Sequence, residues 1–182
     1  MLYKKYDAFS LEGDEAKKKL LQSELQSILN NVDNHDSEDF YIWGLIYYMS
    51  DEHKEYNKNI ALEKFIKAYQ LDADNFLACL YVAHCFHDKK DFTNALNYYE
   101  RVNQKALKAF QIWRYAKLLE QIGYCHFKLG REKIGRKKFE EVLAWYKIQE
   151  LEELAVPTEM LECLDESDQL IKEIKEITDY LK

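Results

Sequence analysis

The chain is predicted to be all-α, built from antiparallel helical hairpins, and three observations carry that prediction. One Pro and five Gly in 182 residues leave little material for turns or strands. The stretch Ala61–Asn75 (ALEKFIKAYQLDADN) sets Ala61, Leu62, Phe65, Ile66, Ala68, Tyr69 and Leu71 at three-and-four spacing, the period of one helix face. Just upstream, Phe40–Met49 carries Gly44, a missing side chain against which Ala61 or Phe65 can pack.

The elements follow in order. Residues 1–13 have no periodic signal and suit either a short helix or an arm. Asp14–Asn31 reads as a helix with Leu20, Leu21, Leu25, Ile28 and Leu29 on one side, and Asp14 and Glu15 suit its positive end. Asn30–Asp36 is a turn cluster, after which Asp36 or Ser37 caps the next helix. Hairpins are expected at about 38–71, 76–105 and 106–147. The surplus residues Asn103–Tyr115 read as a lengthened first helix of the third hairpin. Val156-Pro157-Thr158 interrupts the helical pattern, Thr158 caps a short helix through Leu164, and Leu170, Ile171, Ile174, Ile177 and Leu181 form a last amphipathic stripe. One domain, 1–182, is expected: an N-terminal helix at 14–31, hairpins over 37–147 and acidic capping helices over 158–182.

The hairpin pattern repeats. Trp43-Gly44-x-x-Tyr47 with Ala61-x-x-x-Phe65-x-x-Ala68 is echoed by Val82-Ala83-x-x-Phe86 with Ala95-x-x-x-Tyr99-x-x-Val102. A third copy is Ile122-Gly123-x-x-His126 with Gly135-x-x-x-Phe139-x-x-Val142. The small residues lie 12 apart in the last two copies and 17 apart in the first, so five extra residues fall around Ser50–Asn59. This pattern resembles the tetratricopeptide repeat over roughly Ser37–Tyr146. It departs from that family in Ala73 for the closing Pro, in Gly135 for Ala, and in a register of 39 and then 40 residues from Gly44 to Ala83 to Gly123. The resemblance implies a short solenoid of about three such hairpins with extra terminal helices. It also implies a concave surface lined by the first helix of each hairpin. Carried over, the inward positions are Tyr41, Leu45, Tyr48, Leu80, His84, His87, Tyr124 and Phe127, with Glu120 a turn earlier and Asp88 and Lys128 at the edge. The competing reading is that the terminal helices fill this groove. Places that hold a chaperone's terminal carboxylate in some family members are Tyr41, Leu45, Tyr81, Lys117 and Gln121 here, so a carboxylate clamp is not expected.

Composition narrows the function. From Gln149 to Lys182 there are 11 Asp/Glu and 3 Lys, a net −8, so residues 1–148 carry +1 of the chain's −7. Acidity is therefore a C-terminal property, either a solvated helix face or a surface that meets a basic partner. An acidic chain speaks against nucleic acid, and no apolar run reaches the roughly 18 residues of a membrane span. The N-terminal sequence lacks the apolar core of a secretion signal, so a cytoplasmic protein is expected. Cys79, Cys85, Cys125 and Cys163 are read as reduced thiols, the first three on apolar helical stretches.

Candidate chemistry is sparse. His84, Cys85 and His87, with Cys125 and His126, form the cluster nearest to a metal site, but the cysteines take core-facing places and no CxxC pair exists. Glu140-Glu141, Glu152-Glu153 and Asp165-Glu166 are adjacent in sequence, so on a helix they diverge by about 100° and form no acid–base pair. The basic run Arg131, Lys133, Arg136, Lys137 and Lys138 wraps around its helix as a solvated exterior. No cofactor, metal or catalytic residue is expected. The function predicted is a protein–protein interaction module, monomeric when free, that binds through the aromatic and histidine-lined groove, the acidic C-terminal face, or both. Two finer roles fit: an immunity protein neutralising a basic secreted toxin, and a chaperone or adaptor for a secreted protein. An enzyme or metalloprotein is the remaining alternative.

Overall fold

A computed structural model describes residues 2–31, 34–49, 54–148 and 157–179. Every regular element among them is an α-helix: α1 Leu2–Leu11, α2 Glu15–Asn30, α3 Ser37–Tyr48, α4 Lys54–Leu71, α5 Phe76–Asp88, α6 Phe92–Tyr99, α7 Gln104–Phe110, α8 Ile112–Lys128, α9 Glu132–Ile148, α10 Thr158–Cys163 and α11 Gln169–Asp179. They pack in neighbouring pairs within two compact units, Met1–Cys85 and Phe86–Lys182. Glu152-Glu153, Leu181 and residues 50–53 of the α3–α4 connection lie outside the described residues.

In the first unit, α3 and α4 meet where the sequence leaves out a side chain. A Cβ on Gly44 would stand 2.5 Å from the Phe65 ring, and Phe65, Ala61 and Ala68 are fully buried. The ring occupies the volume that any other residue at 44 would need. Helix ends are then held by short polar side chains. Asp36 caps α3 in a reciprocal box with Asp39. Ser37, one residue on, donates instead to the Ala68 carbonyl of α4 at 2.9 Å and accepts from Asn75 at 2.8 Å. Asn75 in turn accepts the Ala78 amide, so the Ser37–Asn75 pair joins the start of α3, the end of α4 and the start of α5. That linkage closes the turn at Ala73 without a proline. The N-terminal residues form α1, and in α2 the predicted stripe narrows to Leu25 and Leu29, with Leu20 left 62% exposed.

In the second unit the close approach is between α8 and α9. A Cβ on Gly135 would lie 2.7 Å from the Gly123 carbonyl oxygen and 2.4 Å from the Phe127 ring. Phe127 stacks on Phe139 with centroids 5.2 Å apart. The predicted lengthened first helix of the third hairpin is instead two helices. Gln111 is extended (φ −153°, ψ 113°), so α7 ends at Phe110 and α8 starts at Ile112. Leu107 of α7 and Ala116, Leu118 and Leu119 of α8 are all buried, on either side of that break. Thr158 likewise is not a cap. Pro157 takes that position and offers no side-chain bond. Ala116, Leu119, Phe139, Val142, Leu143, Tyr146, Met160, Leu170 and Ile174 form one core that joins α8 and α9 to α10 and α11.

Two turns of this unit share one geometry with different residues. After α8, Gly130 (φ 73°) lets the Gly130 and Arg131 amides return to Phe127 and His126 carbonyls. After α5, the same pair of bonds runs from Lys90 and Asp91 to His87 and Phe86, with Lys90 at φ 60°. Lysine pays a left-handed penalty there that glycine escapes, partly offset by glycine's greater unfolded entropy. Lys90→Gly should therefore stabilise the chain by about 0.5 kcal/mol in urea unfolding. Gly135→Ala should do the opposite. A methyl driven against a backbone carbonyl that cannot swing aside should lower stability by about 1–3 kcal/mol, read as a lower midpoint at unchanged slope.

Candidate functional site

The residues predicted to line a binding surface fall in both units, and each set is described within its own. In the first unit Tyr41, Leu45 and Leu80 are buried, at 6%, 3% and 2% exposure, while Tyr48 and His84 are half-buried. Tyr81 is the ring that gathers them. Its centroid lies 5.7 Å from Tyr41, 5.5 Å from Tyr48, 5.4 Å from His84 and 5.1 Å from Phe65. Three of these contacts are edge-to-face, an arrangement that favours the ring quadrupoles as well as burying area. Sequence reasoning listed Tyr81 only as a place in the carboxylate clamp.

In the second unit His87 sits among the rings of Tyr124, Phe92 and Tyr99 at 5.2, 5.8 and 6.2 Å. Its Nε2 is buried without a hydrogen-bond partner among the described residues, and burial holds its pKa below the ordinary value despite the nearby Glu159 and Asp88. It is a neutral, ring-packed histidine at neutral pH. Phe127 is taken up by its stack on Phe139, and Lys128 is exposed, 4.8 Å above the Tyr124 ring.

The polar centre of this unit is a stripe of α8: Lys117, Glu120, Tyr124 and Lys128, at steps of three, four and four. Helix α10 lies on it. Lys117 pairs with Glu120 at 2.9 Å and with Glu159. Glu120, 2% exposed, accepts the Met160 amide at 3.0 Å, so a carboxylate 40 residues away caps the helix that Pro157 leaves uncapped. The Tyr124 hydroxyl donates to Glu162 at 3.0 Å, and Lys128 donates to the same carboxylate at 2.7 Å. In the sequence pattern Glu120 stands at an inward position and Lys117 at a place of the carboxylate clamp. That pattern had no signal for Glu159, Met160 and Glu162, which come from a segment 34 to 42 residues downstream.

Burial decides the charge states here. It pushes Glu120 up from 4.5 to about 7, opposed by Lys117 and reinforced by Glu159. For Glu159 burial acts the same way, but its hydrogen bonds from Lys117 and Glu120 outweigh it and hold the group low. Glu120 is the one of the two that keeps the proton, because its side chain is 2% exposed against 17% for Glu159. Burial also raises the Cys125 thiol to about 12 and the Cys163 thiol to about 11, so neither is a thiolate nucleophile at neutral pH. Cys79 and Cys85 are buried, reduced thiols. Among the described residues no three His, Cys, Asp or Glu side chains are grouped as a metal would need.

Several of the described C-terminal acids find cations within this unit. Beyond Glu159 and Glu162, Asp168 takes a two-pronged contact from Arg136, and Glu173 pairs with Lys147 at 2.5 Å. Arg136 therefore leaves the basic run, and Lys138 pairs with Glu141 at 2.8 Å. Compared with models of known protein families and with curated proteins, the chain matches none.

The Glu120 shift sets a pH dependence whose sign can be checked. A carboxyl with a higher pKa folded than unfolded binds its proton more tightly in the folded chain, so its contribution to stability falls as pH rises from about 4.5 to about 7. His87 and His126, both lowered by burial, contribute in the opposite sense below 6.5. Glu120→Gln mimics the protonated form and isolates the first effect. Relative to the parent, it should gain on the order of 2 kcal/mol between pH 5 and pH 8 in parallel denaturation series.

Proposed function

We propose that this chain is a non-catalytic protein–protein interaction module of tetratricopeptide-like build, which holds a segment of a partner protein against the tyrosine- and lysine-bearing sides of its helices. One observation carries this reading. The α8 stripe already holds a helical segment by the means an interface uses: a tyrosine hydroxyl, two lysines and an apolar anchor at Met160. Rings rather than reactive groups dominate the first unit's counterpart around Tyr48, Tyr81 and His84, and aromatic side chains supply contact area at low entropic cost. The pairing of Glu159, Glu162, Asp168 and Glu173 with cations of their own unit weighs against the acidic face as the main docking surface. It favours an adaptor or chaperone that grips a segment over an immunity protein that presents negative charge to a basic toxin. No cofactor enters this reading, and among the described residues no helix is long and apolar enough to cross a membrane.

Capture of partners from source lysate on the tagged full chain tests it, with Tyr48→Ala and Tyr124→Ala alongside. A partner held by the parent should be depleted at least tenfold by one of the two, with far-UV circular dichroism unchanged. Equal retention by both variants overturns the reading. Loss only on neutralising exposed carboxylates such as Asp165 and Glu166 would return the weight to the acidic face.

A further inference from the structure

A helix of six residues is too short to persist alone, since isolated helices below about 12 residues are marginal in water. α10 forms because α8 supplies what it lacks. Its N-terminal position is Pro157, which brings no side-chain acceptor, and Glu120 serves the Met160 amide in its place. Glu159 and Glu162, three residues apart and so on one face, each meet a lysine of α8, and Tyr124 adds a hydroxyl to the second. Met160, between them, is fully buried in the same core as Ala116, Leu119, Phe139 and Tyr146. Every one of these contacts is between side chains, or between a side chain and a backbone amide that any residue would provide. None depends on the segment belonging to this chain.

The neighbouring helix is held differently. α11 has eleven residues, buries Leu170, Ile171 and Ile174, and is pinned at its start by the Arg136–Asp168 contact. α10, with six residues and Met160 as their one buried side chain, is the less anchored of the two. Its outer edge is the Lys128–Glu162 pair, with side chains 34% and 56% exposed, where an entering carboxylate meets water-accessible lysine. From this we infer that α10 is an intramolecular occupant of the α8 recognition surface. The partner that displaces it is an acidic protein segment that folds as a short helix, with two carboxylates three residues apart flanking a buried apolar side chain. The inference rests on the reading of this chain as an interaction module and gives that module an autoinhibited resting state.

A fluorescent, end-capped peptide copying residues 157–164 is the probe, titrated by anisotropy into the full chain. In the Glu159→Lys/Glu162→Lys chain, α10 is repelled by Lys117 and Lys128, and the probe should bind at least tenfold more tightly than to the parent. Adding Lys117→Glu and Lys128→Glu should remove that gain, and a probe with lysine at both glutamate positions should not bind the released chain. Should the double variant melt with the signature of an unfolded chain, Glu162→Gln replaces it, with faster amide exchange over 158–164 and tighter probe binding expected together. Equal probe affinity for parent and released chains overturns the autoinhibited state while leaving the α8 surface as a docking site. No binding to any folded variant overturns the acidic-helix chemistry. The capture experiment with Tyr48→Ala and Tyr124→Ala then still decides whether the module reading stands.

Discussion

The close approach of α8 and α9 at Gly123 and Gly135 is the constraint on which the second unit depends. With backbone carbonyl set against α-carbon, no side chain fits between the helices, and the rings of Phe127 and Phe139 are stacked alongside instead. That contact fixes which way α8 is rotated. One face, through Ala116 and Leu119, goes into the core, and the Lys117–Lys128 stripe is left where another helix can reach it. The first unit repeats the device with a single glycine, Gly44, against the fully buried Phe65. Burying a phenylalanine ring is worth about 2–3 kcal/mol, which only a gap of matching shape collects in full.

Magnitudes separate what holds α10 from what orients it. An exposed pair such as Lys128–Glu162 contributes about 0–1 kcal/mol, because water and salt screen it. Full burial of Met160 contributes about 1.5–3 kcal/mol. The apolar anchor therefore supplies the affinity, and the lysines with Tyr124 set the register. Glu120 does something else again. A carboxyl with 2% exposure is costly to ionise, and it is retained beside Lys117 and Glu159 where one shared proton relieves the repulsion between two acids.

Burial also governs the groups that look reactive in sequence. Cys125 and His126 are adjacent, but the thiol is driven up to about 12 and the imidazole down, so each is held in its neutral form. His87 follows the same course inside a cage of three rings. Cys125, His126 and His87 are packing material. The proposed recognition rests instead on tyrosine hydroxyls, lysines and ring faces.

Local regularities in the sequence determined the helical class, the pairing of small residues with rings, and the starts of α2, α3 and α5. Each of these depends on residues within one or two turns of each other. Glycine and proline scarcity, the three-and-four stripes and the Asp36 cap are of that kind. Tertiary structure decided the rest. Asn103–Tyr115 is divided by the extended backbone of Gln111, a residue that leaves no mark in helix propensity. The candidate surface divides in the same way. Tyr124, Lys128 and Glu120 share a face by helical spacing alone, whereas their engagement by Glu159, Met160 and Glu162 comes from a segment about 40 residues away. No periodicity reports such a contact, because chain separation does not encode which charged face will cover which. The excess of carboxylates after Gln149 could be counted in the sequence, but folding brought Asp168 and Glu173 their cations, as electrostatics selects a partner by distance in space.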